Sequence, residues 1–153
     1  MKIKNIIFAF FLSYVFFTGC KEMKEEIQKS DMDFEEYSLA GASCQFCAHD
    51  YNSNGKIFII NSEEELKNYI ICEEGNYPSI DFSKYTLLYA WDGTTSGIYN
   101  ISKKFQQLSN NEYNLYVDVT LDMTTVAQGW STLIKVKKLS QNATVKLVEN
   151  IHH

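Results

Sequence analysis

The cysteines are the residues of this chain whose type and spacing could do chemistry. Cys44 and Cys47 form a Cys-x-x-Cys motif, and Cys72 follows further along the chain. This spacing brings two sulfur atoms onto one metal ion or into one short redox-active disulfide. A redox motif needs a helix N-terminus to stabilise its thiolate, and the residues after Cys47 show no helical pattern. Thioredoxin-like chemistry is therefore disfavoured.

Two other roles for these cysteines stay open. Cys44, Cys47, Cys72 and His49 together form a Cys₃His set, which suits zinc. Alternatively, in an oxidising envelope, Cys72 pairs with either Cys44 or Cys47. That disulfide closes a loop of about 25 to 28 residues, stabilises the fold by about 3 kcal/mol and leaves one thiol over. The sequence favours a structural disulfide or buried thiols over the metal.

The motifs of common catalytic sites are missing from the sequence. It contains no Gly-x-Ser-x-Gly, His-Glu-x-x-His, P-loop or Gly-x-Gly-x-x-Gly pattern. Asp81 and Asp92 flank one predicted strand and would lie about 35 Å apart, which is too far for a glycosidase carboxyl pair. We therefore expect no enzymatic activity and no cofactor.

Aromatic and threonine side chains provide a candidate binding surface instead. Tyr116 lies on the solvent-facing side of a predicted strand, and Trp130 follows a predicted loop. Such aromatic side chains are common in protein and glycan contacts. Four threonines in two predicted loops would form a polar cluster beside them if both loops share one edge of the sheet. The predicted surface consists of Tyr116, Trp130, Thr94, Thr95, Thr124 and Thr125.

The elements that position these residues are mostly predicted strands. Residues 56–60 and 85–91 are continuous apolar runs, typical of strands that are covered on both faces. From Tyr113 to Met123 apolar and polar residues alternate, which predicts a strand with one buried and one wet face. Residues 98–108, with mixed alternation, residues 133–137 and a short segment at residues 145–147 are predicted as further strands.

One segment has the features of a helix. Ser62 is a suitable N-cap, Glu65 follows it at capping-box spacing, and an apolar stripe continues to about residue 71. The sequence therefore predicts an α+β fold over residues 37–153. We expect a small, mostly antiparallel sheet of five to six strands with one main helix near residues 62–71.

The N-terminal residues indicate a lipid anchor. Lys2 and Lys4 precede an uncharged apolar run over residues 6–17, about 18 Å long as a helix and too short to span a bilayer core of about 30 Å. Residues 17–20 (Phe-Thr-Gly-Cys) resemble a bacterial lipobox. The resemblance implies that residues 1–19 are a lipoprotein signal peptide and that Cys20 carries palmitate-type acyl chains, which anchor it to the membrane.

The segment behind the anchor is strongly acidic. Residues 20–36 contain seven acids, three lysines and few apolar residues, so we expect a flexible tether. Removing residues 1–19 takes away two lysines and lowers the formal charge from −5 to −7. The chain has no arginine, and its negative charge excludes a nucleic-acid-binding surface. Acidic residues after the lipidated cysteine favour the outer membrane, with its periplasmic and surface faces both open.

Three short motifs resemble a known family. They are residues 60–66 (Ile-Asn-Ser-Glu-Glu-Glu-Leu), residues 80–85 (Ile-Asp-Phe-Ser-Lys-Tyr) and residues 94–99 (Thr-Thr-Ser-Gly-Ile-Tyr). Over residues 57–148 the chain resembles the C-terminal domain of the protease-complex lipoprotein subunit (PrcB) family. This resemblance implies a lipid-anchored accessory domain that assembles with a cell-surface protease or stabilises it.

The sequence thus predicts a lipid-anchored cell-envelope protein with a non-catalytic binding or accessory role. Its expected partners are the membrane, through the N-terminal anchor, and an envelope protein, conceivably a protease. A thiol or zinc protein that uses Cys44, Cys47 and Cys72 is one alternative. A glycan-binding accessory lipoprotein is another.

Overall fold

The computed structural model describes residues 29–39, 44–47, 56–73, 77 and 79–153. Within these residues the chain forms ten strands and one helix of four residues. The elements are β1 (Ser30–Met32), β2 (Phe34–Glu36), β3 (Cys44–Phe46), β4 (Lys56–Ile60), α1 (Glu63–Leu66), β5 (Ile70–Cys72), β6 (Tyr85–Thr94), β7 (Ile98–Gln107), β8 (Glu112–Leu121), β9 (Gln128–Lys137) and β10 (Thr144–His152). No helix in the described part of the chain is long and apolar enough to cross a membrane.

Two four-stranded sheets form a sandwich. Sheet A has the order β1-β7-β8-β10, and sheet B has the order β2-β9-β6-β4. The strand pairs are antiparallel except for β8 and β10, which run parallel. Asp33 separates β1 from β2 and carries the chain from one sheet to the other. Sequence alternation builds the inner face of sheet A, because every second residue of β8 from Tyr113 to Leu121 is buried.

Sheet B is buried on both faces along its strand β6. Leu88 and Ile134 point to one side and pack against sheet A. Leu87 and Leu133 point to the other side and pack under a third layer, which consists of α1 and the two-stranded β3-β5 sheet. Continuous apolar runs are what a strand with two covered faces requires. The predicted strands at residues 56–60 and 85–91 are therefore confirmed.

Aromatic rings fill the space between sheet B and the third layer. Phe46 of β3 stacks on Tyr89 with 4.8 Å between ring centroids, and Phe58 stacks on Trp91 at 5.0 Å. Tyr69 contacts both Phe58 and Tyr89. A disulfide between Cys44 and Cys72 joins the two strands of the third layer above these rings.

The predicted α+β class with a main helix at residues 62–71 is wrong, because the described residues are mostly β and contain no helix of seven residues or more. The predicted cap does form: Ser62 Oγ accepts a hydrogen bond from Glu65 N at 3.1 Å. The helix then lasts one turn, since residues 70–72 pair with β3 as strand β5. Backbone pairing with β3 and the Cys44–Cys72 disulfide hold these residues as a strand. The predicted five to six strands are also too few.

The predicted tether overlaps the folded domain. Residues 30–36 form β1 and β2 and pair with β7 and β9. Met32 and Phe34 pack against the core between the two sheets, and Glu35 forms an ion pair with Lys135 at 2.6 Å. These contacts offset the conformational entropy that residues 30–36 lose on folding. Their acidic composition alone does not indicate such contacts. The predicted signal peptide, Cys20 and the first part of the tether lie outside the described residues.

Candidate functional site

The predicted threonine-rich loops meet at one end of the sandwich. Residues 95–97 join β6 to β7, and residues 122–127 join β8 to β9. We call the end of the sandwich that these loops form with the adjoining strand ends (residues 92–94, 98–100, 128–130 and 149–153) the loop end. Asp122 N donates to the carbonyl of Gly97 at 2.9 Å, and Gly97 N donates to Thr124 Oγ1 at 3.2 Å. Further along, Ile98 N donates to Gln128 Oε1 at 2.9 Å. These hydrogen bonds fix the two loops against each other.

Gly97 makes this close approach possible. A Cβ atom at this position would lie 2.6 Å from the carboxylate oxygens of Asp122 and would also collide with Thr124 Oγ1. Asp122 in turn accepts hydrogen bonds from the hydroxyl and the backbone N–H of Thr124, and these lower the pKa of its carboxyl. Its negative charge therefore persists at this surface at neutral pH.

The predicted threonines have different roles in this arrangement. Thr94 is buried, and its Oγ1 lies 2.6 Å from the Ser96 carbonyl and 3.0 Å from the Gln128 carbonyl, so it holds the β6–β7 turn. Thr124 is exposed but bonded to Asp122. Thr95 and Thr125 are exposed at the two loops. The two predicted loops therefore share one end of the sandwich, and two of the four threonines, Thr94 and Thr124, serve loop geometry.

Exposed apolar side chains at this end were missed by the sequence analysis. Tyr99 is 79% exposed, Met123 is fully exposed, Val126 is 68% exposed and Ile151 is 47% exposed. The register shift between Ile98 and Asn100 is an irregularity of the kind that turns a side chain out of the sheet, here Tyr99. Met123 continues the alternating pattern in sequence, but β8 ends at Leu121 and leaves it in solvent.

A concave surface of about 430 Å³ lies beside these loops. Small and polar residues line this surface. Two of them, Gly93 of β6 and Gly129 of β9, face each other and leave part of it without side chains. A Cβ at Gly93 would meet nothing closer than 3.9 Å, so packing within this chain does not require glycine there. The other lining residues are Asp92, Thr94, Thr95, Ala127 and Gln128.

Two carboxyl groups lie just inside the loop end, between the sheets. Trp130 Nε1 donates to Glu149 Oε1 at 3.0 Å, and Asp92 is the neighbour of Trp130 in the β6–β9 register. Burial and the nearby Asp92 raise the pKa of Glu149. Trp130 itself is 6% exposed and belongs to the core, so it orients Glu149 and does not contribute ring surface to a partner.

Tyr116 is separate from the loop end. It lies on the outer face of sheet A, five residues before the end of β8, or about 17 Å along the strand. Its hydroxyl accepts a hydrogen bond from Asn114 Nδ2 at 2.9 Å and lies 3.5 Å from Gln106 Oε1. Of the six predicted surface residues, the four threonines lie at the loop end, whereas Tyr116 and Trp130 do not form part of its surface.

The cysteines are arranged as a structural bridge. Cys44 and Cys72 are directly opposite in the β3–β5 register and form the disulfide, and Cys47 is a free thiol. Two of the three sulfurs of the zinc hypothesis are therefore used in a covalent bond. Across the described residues no group of three or more His, Cys, Asp or Glu side chains could hold a metal ion. His49 lies outside these residues.

No protein-family model matches this chain, and no curated protein or solved structure is significantly similar to it.

Proposed function

We propose that this chain is a lipid-anchored protein of the cell envelope whose β-sandwich is a non-catalytic binding module, and that the loop end is its docking surface. One observation carries the proposal. Five large apolar side chains of the described residues are exposed, and four of them lie at this one end. Clustered exposed apolar groups mark interaction sites, whereas scattered ones are ordinary.

The connection to the anchor supports this assignment. β1 pairs with residues 105–107 of β7, whereas the loop end is formed around the opposite terminus of β7. Ser30 therefore lies about 30 Å from the loops, one strand length away. Cys20 precedes Ser30 by ten residues in the sequence. An anchor at Cys20 leaves the docking surface at the end of the domain where the anchored segment does not enter.

The anchor is tested by growing cells that express the protein with a radiolabelled or alkyne-tagged fatty acid. We expect label in the wild-type protein and none in Cys20→Ser, which should also leave the membrane fraction. Label that persists in Cys20→Ser, or a wild-type protein without label, would contradict the proposed anchoring.

Docking is tested by in-cell photo-crosslinking from two positions of the anchored protein. A photoreactive side chain at Val126 should give one dominant product that is lost when Tyr99→Ser is added. Ile71 is the matched control, because it is 53% exposed but lies on the third layer. Equal product patterns from both positions would contradict a docking surface at the loops. A protease in the Val126 product would support the role that the PrcB resemblance implies.

A further inference from the structure

We infer that the partner of the loop end is a protein surface with an apolar centre and lysine or arginine side chains at its rim. This inference rests on the proposed docking function and adds the chemistry of the partner. Three segments of the described chain form this end, residues 92–100, 122–130 and 149–153, and they contain no lysine and three acids, Asp92, Asp122 and Glu149. Lys56, opposite Trp91 at the start of β4, is the nearest lysine in the strand register.

Ion pairs between lysines and carboxylates occur on other parts of the described surface. Five lysines elsewhere lie within 4.0 Å of a carboxylate, in the pairs Lys67–Glu63, Lys84–Asp81, Lys103–Glu36, Lys104–Asp31 and Lys135–Glu35. At the loop end, Asp122 forms no ion pair with a described lysine, and its carboxylate accepts hydrogen bonds only from Thr124 among the described side chains. The negative potential of this end is thus left for a partner to neutralise.

The concave surface provides a binding site for one basic side chain at the rim of the partner. Asp92 is in its lining, and the facing glycines leave room for an inserted side chain. A lysine or arginine of the partner would lay its methylene groups over the glycine backbone and direct its charge to the Asp92 carboxylate. Tyr99 and Met123, which are exposed at the same end of the sandwich, would contact the apolar centre of the partner.

Two other occupants fit the charges poorly. A second copy of this chain, docked end to end, would place the acids of both loop ends against each other. An anionic bilayer surface would be repelled by the same acids, and the chain enters the domain from the opposite end, at Ser30. A protein surface with an apolar centre and a basic rim therefore complements both the apolar side chains and the acids.

The inference is tested with three synthetic helical peptides of equal length. One has a leucine face and a lysine rim, the second replaces each lysine with glutamate, and the third replaces each leucine with serine. Their affinities are measured by biolayer interferometry for the full mature chain carrying Cys20→Ser, so that no acyl chain contributes. The leucine–lysine peptide should bind at least about tenfold more tightly than either of the others.

Variants locate the contact on the protein. Tyr99→Ser and Met123→Ser should each weaken binding of the leucine–lysine peptide at least about fivefold, and Ile71→Ser should leave it unchanged. Asp122→Asn keeps an oxygen that accepts the hydrogen bonds of Thr124 but removes the charge, so it should weaken binding about two- to threefold with a smaller salt dependence. Circular dichroism of each variant checks that it is folded.

Each remaining outcome overturns the inference in a distinct way. Tightest binding of the leucine–glutamate peptide at the loop end would refute the basic partner but leave the docking function standing. Equal loss in Tyr99→Ser and Ile71→Ser would refute the site itself. Concentration-dependent dimers that Tyr99→Ser abolishes in sedimentation would identify a second copy as the occupant. Binding to anionic vesicles that depends on Met123 would identify the bilayer.

Discussion

Removing the disulfide of the third layer should lower the free energy of unfolding of the domain by about 3.5 kcal/mol. Cys44 and Cys72 are separated by 28 positions in the chain. Closing a loop of that length in the unfolded chain corresponds to roughly 3.5 kcal/mol at 25 °C. Unfolding of the approximately 124 residues after Lys29 has an entropy of about 0.26 kcal/mol per kelvin, so the melting temperature should fall by about 13 °C.

The assay is thermal unfolding followed by circular dichroism, with and without reductant. The perturbed protein carries Cys44→Ser and Cys72→Ser together, so that Cys47 cannot form a substitute bridge. Trp91, 4% exposed beneath the third layer, provides a fluorescence signal for loosening of that layer. The double variant should melt about 13 °C lower than the wild type, and reductant should no longer change its melting temperature.

Cys47→Ser is the matched control for this experiment. It removes the free thiol, keeps the bridge and should melt within a few degrees of the wild type while remaining sensitive to reductant. If Cys47→Ser abolished the sensitivity to reductant and the double variant retained it, the pairing derived from the β3–β5 register would be refuted.

Three further changes test other parts of the structure. Gly97→Ala should destabilise the domain by about 1–3 kcal/mol in urea unfolding, because its Cβ collides with the facing loop, whereas Thr95→Ala should have little effect. The pKa of Glu149 is raised in the folded state. The contribution of Glu149 to the free energy of unfolding is therefore fully present below the unfolded pKa of about 4.5, and it is lost as pH rises through the folded pKa. Glu149→Gln should remove that decline in a urea series from pH 4 to pH 7, and an unchanged slope would contradict the assignment. Lys103 bridges the sheets to Glu36 at 2.6 Å, so a double-mutant cycle with Lys103→Met and Glu36→Gln should give a coupling of about 1 kcal/mol, and no coupling would exclude the bridge.

The individual strands could be predicted from the sequence because their patterns are local. Alternation from Tyr113 to Leu121 records one buried and one wet face within the strand itself, and this prediction is confirmed. The same pattern continues to Met123 in the sequence, but the strand ends two residues earlier. Where a strand stops depends on the loop that follows, and here Asp122 turns the chain toward Gly97.

Pairings between distant segments could not be predicted in the same way. Both Cys44 and Cys47 have a suitable separation from Cys72, so spacing alone left the choice open. The register of β3 with β5 decides it, because Cys44 lies opposite Cys72 and Cys47 N bonds to the carbonyl of Tyr69. The parallel pairing of β8 with β10 is another contact that no local pattern indicates.

At the candidate site, too, local patterns could be predicted from the sequence, whereas contacts between distant segments could not. The threonines identified the two loops, and their contact across Gly97 follows from the β6–β7 and β8–β9 connections. The exposed apolar groups could not be identified, since Tyr99 resembles a core residue in the sequence. Only the register shift beside Ile98 distinguishes it from a buried strand residue, and that shift depends on the partner strand.

The position of the proposed docking surface is supported by the hydrogen bonds that groups on the other surfaces already make. On the outer face of sheet A, Asn150 Nδ2 donates to Asp118 at 2.8 Å and Asn114 Nδ2 donates to Tyr116. Groups that already bond to each other lose little when they stay in water and gain little from a partner. The other face of sheet B is covered by the third layer. At the loop end, exposed apolar side chains lie near Asp122, which pairs with no described lysine, so a partner there would gain both burial and charge pairing.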